Sequence, residues 1–257
     1  MSAAACGAPR LFDHLDANTL DAPSRACDQG ARVPADAWGR LLNDRLRTCA
    51  FAAAAHLERC WTSQTGAGVE LGDDAVLCAY ELVSGYDRSG PATRDVGVTD
   101  LDALEHWRVH GIGTSRIDAY ATVEPAARVE VATAIERFGG CYAALALPLT
   151  AQSQEMWRVP DRGPVGWGAP GSWLAHAVAL VAYDESTVTA VAWGARSTMT
   201  WEFLATYSAA AYAVVSTTSW FVAGVPPDLG LDLEGLRRAL DRRRAVASFY
   251  GSFTGVP

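Results

Sequence analysis

The chain has 257 residues, half of them hydrophobic and 19% charged, which is enough for one large domain or two small lobes, each with its own core. Its formal charge of −8 repels phosphate backbones, so nucleic acid is not an expected partner. All 21 basic residues are arginine, and the lack of lysine excludes Schiff-base chemistry at a lysine and a Walker-type phosphate loop.

Residues 1–36 are rich in Ala, Asp and Pro without a sustained period and read as an irregular arm lying on the domain. Met1–Arg10 lacks the basic and apolar regions of a leader. The longest apolar runs, Cys49–Leu57 and Ala175–Tyr183, are too short to span a bilayer, so no membrane partner is expected. The chain reads as soluble and cytoplasmic, or as carried in a virion if phage-encoded. Cys49 to Trp61 predicts a helix that is apolar nearly all round and therefore central and buried. A second helix runs over Asp73–Ser84, with two aspartates in the first turn where the helix dipole favours negative charge. Tyr86–Gly97 is a loop, and a third helix covers Thr99–His110, capped by Thr99.

After Gly113 the pattern changes to strands. Arg116–Thr122 predicts a strand, Pro125–Phe138 a helix stopped by Gly139-Gly140, and Cys141–Leu147 an apolar strand. Residues 158–172 form a Gly/Pro-rich loop. Trp173–Tyr183 and Thr187–Trp193 make a hairpin around Asp184-Glu185, and another strand lies near Tyr212–Ser216. The tail holds one amphipathic helix from Leu231 to about Phe249, with Leu233, Leu236 and Leu240 on one face. Helices first and mostly strands afterwards argue α+β, a helical lobe packed against an antiparallel sheet lobe. The expected division is an arm over 1–36, a main domain over 37–220, and a C-terminal extension over 221–257.

The six cysteines show no CxxC pair and no regular spacing, which favours free thiols over disulfides or zinc. His106 and His110 have the i, i+4 spacing of metal ligands, but no third ligand is identifiable, and neither a metal nor a cofactor is expected. Cys49 is different. It sits in the first turn of the predicted central helix, where unpaired N–H groups and the dipole stabilise a thiolate and can bind an oxyanion. Such a nucleophile needs a base from elsewhere in the fold. His176, at the mouth of an apolar strand after the Gly-rich loop, is the candidate. His56, seven residues past Cys49 on the same helix, is displaced about 10 Å along the axis and reads as a structural hydrogen-bond donor. Both Cys49 and His176 could equally be inert core residues.

Several segments together resemble the papain family, and more closely a group of uncharacterised papain-like proteins of bacteria and phages. They are Trp38-Gly39, Leu42-Asn43-Asp44-Arg45, Cys49, Ala53 to His56, Tyr80 to Tyr86, Leu104 with Trp107-Arg108, Phe138-Gly139-Gly140, Leu147-Pro148, Gly168 to Ser172, His176-Ala177-Val178, Val181 to Asp184, Trp193-Gly194 and Met199-Thr200-Trp201. The resemblance covers about residues 36–216. It implies a papain-like cysteine-proteinase fold, Cys49 as nucleophile and His176 as general base. It also places Asn43, six residues before Cys49, where the family has an oxyanion-hole glutamine. A peptide or protein would be the substrate.

Three departures bear on turnover. Val191 stands where the family has an imidazole-orienting asparagine, Arg47-Thr48 replaces a small glycine-containing turn, and Ala50 replaces a tryptophan. Asp184 is no substitute for the asparagine, since eight extended residues put it roughly 26 Å from His176. Two functions therefore follow: a thiol peptidase or amide hydrolase using a Cys49–His176 dyad, or a catalytically inactive papain-fold component of an assembly such as a virion.

Overall fold

The computed structural model describes residues 7–18, 20–90 and 95–251, with side chains as far as residue 245. Its helical part comprises α1 (Cys49–Thr65), α2 (Asp73–Ser84) and α3 (Asp100–Val109). The strands are β1 (Cys27–Asp28), β2 (Ala119–Val123), β3 (Cys141–Leu147), β4 (Met156–Trp157), β5 (Leu174–Tyr183), β6 (Thr187–Ala192), β7 (Ala195–Thr200) and β8 (Ser208–Val215). Three further helices, α4 (Arg128–Phe138), α5 (Trp201–Tyr207) and α6 (Leu233–Gly251), intersperse or follow the strands.

The sheet order is β2-β8-β3-β5-β6-β7-β4, antiparallel except for the short β4–β7 pair. β5 is its longest strand and is central. β3 pairs with it from Leu147↔Leu174 to Cys141↔Leu180, and β1 takes up the same edge beyond, at Ala182 and Tyr183. α1 lies between this sheet and the other two N-terminal helices. Its alanines leave room for close approach, and every residue from Ala50 to Glu58 is buried. The aromatic core is built around it, with Trp61 and Trp107 stacked at 5.6 Å and the Trp61 indole N–H donating to the Phe138 carbonyl.

The α+β layout and the central helix agree with the sequence reading, and Thr99 caps α3 by accepting the Asp102 N–H. Several boundaries differ. The arm is not wholly irregular, since Cys27–Asp28 joins the sheet. The strand expected at Arg116–Thr122 is Ala119–Val123, because Ile112 and Ser115 close a tight turn and Asp118 is spent on the 217 loop. The helix expected from Pro125 starts at Arg128, after a Glu124–Ala127 turn. α6 starts at Leu233 rather than Leu231, because the Asp232 side chain accepts the Gly235 N–H while Leu231 bridges to Leu15. The strand expected near Tyr212 begins at Ser208, and β4, β7 and α5 were not expected.

Candidate active site

Cys49 is the first residue of α1 and is half-buried. The preceding Thr48 does not cap the helix with its side chain; its hydroxyl donates instead to the Leu41 carbonyl at 2.9 Å. That bond closes the segment 41–48 into a loop over the helix start and leaves the first N–H groups of α1 facing the thiol. Leu41 and Leu42 hold left-handed φ values of 54° and 63°, an uncommon conformation for leucine that persists only where the surroundings enforce it. Asn43 follows immediately, half-buried. Among the described residues no group pairs with its side-chain amide, which leaves both donors available.

Sequence reasoning missed the groups that brace this loop from outside. The Asp95 carboxylate accepts the Arg47 N–H through both oxygens at 3.1 Å and also accepts the hydroxyl of the buried Tyr80, which in turn accepts the Gly97 N–H. The only earlier signal was Tyr80 inside an otherwise ordinary amphipathic helix.

The Cys49 sulfur lies within hydrogen-bonding reach of the N–H groups of Ala177, Ala50 and Cys49 itself. Ala177 is the residue after His176, so the start of α1 and the head of β5 meet here. Burial dominates the electrostatics and pushes the thiol pKa up, with those N–H groups and Arg47 acting in the opposite direction. His176 is 4% exposed and its pKa falls to about 3, through burial first and through His56 second. Burial thus favours the neutral form of each group, thiol and imidazole.

What surrounds the imidazole is unusual. Its Nε2 is buried and has no hydrogen-bond partner among the described residues. Val191, at the position where an asparagine is the expected partner, is buried, pairs with Ala179 and offers no polar atom. The ring is instead covered by Trp193, stacked at 4.0 Å and 14°, and Trp193 is stacked on Trp173 at 5.2 Å and 27°.

His56 is where a structural role puts it. Its Nε2 donates to the Gly39 carbonyl at 3.0 Å, and burial lowers its pKa to about 4. Asp184 lies in the β5–β6 turn, where its carboxylate accepts the Ser186 and Thr187 N–H groups at 2.7 Å. His106 and His110 bring their rings to 5.2 Å, but no cluster of three or more candidate metal ligands occurs among the described residues. The five described cysteines are unpaired. No described helix is long and apolar enough to cross a membrane.

No protein-family model matches the chain, and no curated protein matches it in sequence. Solved structures do match. Xylellain, a cysteine protease from Xylella fastidiosa, aligns with a TM-score of 0.61 at 9% identity, over 82% of this chain and 95% of that one. Digestive procathepsin L 3 of the Tenebrio molitor larval midgut aligns at 0.58 and 11% identity, over 81% and 75%. The clostridial cysteine protease Cwp84 after propeptide cleavage aligns at 0.51 and 13% identity, over 73% of this chain and 56% of that one. The architecture is that of the papain-like cysteine proteases.

Proposed function

We propose that this papain-fold chain is a thiol hydrolase that cleaves amide bonds in peptides through Cys49 and His176. The observation that carries the reading is the seat of the Cys49 sulfur: first residue of a buried helix, against the Ala177 N–H, one residue from the imidazole. With Nε2 enclosed, Nδ1 is the nitrogen that exchanges a proton with the thiol. The sulfur attacks the substrate carbonyl as its proton passes to Nδ1. The oxyanion forms at the N-terminus of α1, where the Cys49 N–H and the free Asn43 amide donate to it. The imidazolium then protonates the leaving amine, and a water deprotonated by His176 releases the acid and regenerates the thiol.

Because burial favours the neutral form of each group, proton transfer accompanies attack instead of preceding it, and turnover is slow relative to a preformed thiolate. Incubation with a proteome-derived peptide library, read by mass spectrometry, tests the reading. New termini are expected with the native chain and not with Cys49→Ala. Equal patterns from both would refute it.

The second reading, an inactive papain-fold part of a larger assembly, is favoured by one specific observation, the buried Nε2 of His176 that has no partner among the described residues. It requires that Cys49→Ala leave assembly intact and that no hydrolysis depend on Cys49.

A further inference from the structure

Beside the nucleophile lies a charge that the hydrolase chemistry does not use. Arg47 stands two residues before Cys49. Against the burial that raises the thiol pKa, its guanidinium acts to lower it, which puts that charge within electrostatic reach of the sulfur. We propose that Arg47 determines specificity, selecting peptides with glutamate or aspartate at the residue whose carbonyl is attacked. The inference rests on the hydrolase reading above and names the substrate class of that same site.

Arg47 is exposed, although the next residue, Thr48, is fully buried. Its base is fixed. The Arg47 N–H donates to both oxygens of Asp95 at 3.1 Å, and Asp95 also accepts the Tyr80 hydroxyl. The Asp95 carboxylate is thus committed to a main-chain N–H and to Tyr80, and it forms no ion pair with the guanidinium. The stem of Arg47 runs along the 95–97 segment, where a Cβ at Gly97 would lie 3.6 Å from its Cβ and 3.8 Å from its Cδ. Gly97 in turn donates its N–H to the same Tyr80 hydroxyl. The arginine and the strip it lies on are therefore tied to one tyrosine. The neighbouring Arg40 and Arg45 share Asp44, at 3.5 and 3.9 Å. Arg47 alone of these three has no carboxylate partner among the described residues.

The direction of the substrate follows from the proton path. The leaving amine takes its proton from His176 on β5, so the amine half of the peptide lies toward the sheet. The acyl half extends the other way, past the start of α1, toward Arg47 and the 95–97 segment. There the side chain of the acyl residue meets a guanidinium fixed at its base, whose forked N–H donors match a carboxylate. A glutamine offers the same reach without the charge, and a basic side chain is repelled. The net charge of −8 opposes an acidic ligand at long range. Selectivity must therefore come from this contact and not from steering.

Two fluorogenic peptide amides, identical except for Glu or Gln at the acyl residue, test the assignment. The proteins are the native chain, Arg47→Gln, Arg47→Lys, Arg47→Glu and Cys49→Ala. The Arg47 substitutions keep the N–H that Asp95 holds, and the ratio of kcat/KM for the two peptides does not depend on the fraction of protein folded. The native chain is expected to favour the Glu peptide by about 10-fold or more, the discrimination of one charge-assisted hydrogen bond, and less strongly at high salt. Arg47→Lys should keep a reduced preference, Arg47→Gln should bring the two peptides together, and Arg47→Glu should reverse their order. If cleavage depends on Cys49 but shows no preference for Glu, or if Arg47→Gln leaves the preference intact, the assignment is overturned and the hydrolase stands. If Cys49→Ala cleaves both peptides as the native chain does, or if neither chain cleaves them, the hydrolase reading falls and the assignment with it.

Discussion

Glu58 lies nine residues past Cys49 on α1 and is 1% exposed. One carboxyl oxygen accepts the Ser115 hydroxyl at 2.7 Å, and Ser115 accepts the Trp107 indole N–H; the other oxygen has no partner among the described residues. Burial raises its pKa from the ordinary 4.5, and the nearby Ser219 and Ser115 hydroxyls only partly oppose this. The raised value means that Glu58 contributes stability below pH 4.5 that is lost as pH rises. The two buried histidines act in the opposite sense. With folded values of about 4 for His56 and about 3 for His176, against 6.5 ordinarily, their contributions are complete above pH 6.5 and disappear as pH falls. Urea denaturation should therefore show each histidine costing about 3 kcal/mol between pH 6.5 and 4. Glu58→Gln should raise the midpoint at pH 8 and change it little at pH 4.5. A Glu58→Gln protein less stable than the native chain at pH 8 would contradict the neutral-acid account. Nothing in Leu57-Glu58-Arg59 distinguishes this residue from a solvated helix position, since its burial depends on α3 and the 216–221 loop, which meet only in three dimensions.

At the scale of elements, α1 and β5 were legible because each is a long run of one chemical character that allows one structure. β7 was not, since Ala-Arg-Ser-Thr-Met-Thr carries no alternation and only its pairing with β6 makes it a strand. α5 is two turns long and relies on Thr200, whose hydroxyl accepts the Phe203 N–H. For the candidate site, Cys49 and His176 were proposed from their places at a helix start and a strand mouth, and Asn43 from the family resemblance. The Trp193 stack and the Asp95 brace could not be read in this way, because both depend on loops whose course no periodicity encodes. The β6–β7 turn is the element on which the site geometry depends most. Gly194→Ala must accept both a left-handed conformation and backbone overlap with the Gly39 carbonyl oxygen at 2.6 Å. It should cost on the order of 1–3 kcal/mol, read as a lowered denaturation midpoint, and slow iodoacetamide modification of Cys49 by displacing Trp193. A native-like midpoint and rate in Gly194→Ala would show that the turn is not a positioning element.

Across the whole molecule, the N-terminal arm and C-terminal helix hold each other against β2, the edge strand of the sheet. The Asp232 N–H donates to the His14 carbonyl, the Asp16 N–H to that of Gly230, and the Thr122 N–H to that of Pro9. α6 packs on β2 with Leu236 and Leu240 fully buried, Arg237 paired with Asp118 and Arg243 donating to the Tyr120 hydroxyl at 3.0 Å. The amphipathic pattern of α6 was readable in the sequence; its partner was not. Deleting residues 231–257 removes two fully buried leucines and should lower unfolding free energy by roughly 3–6 kcal/mol. An unchanged guanidinium midpoint would mean that α6 contributes no stability to the domain.

A helix start bearing a sulfur and a strand head bearing an imidazole are useful to a hydrolase only if an acyl group passes through that sulfur. Rapid-quench mass spectrometry with a p-nitrophenyl ester observes this step directly. One acyl group per chain is expected on Cys49, decaying at the rate of ester turnover, with slower acylation in His176→Ala. Acyl groups spread over Cys78 as readily as Cys49, at a rate indifferent to His176, would leave a papain fold without papain-type chemistry.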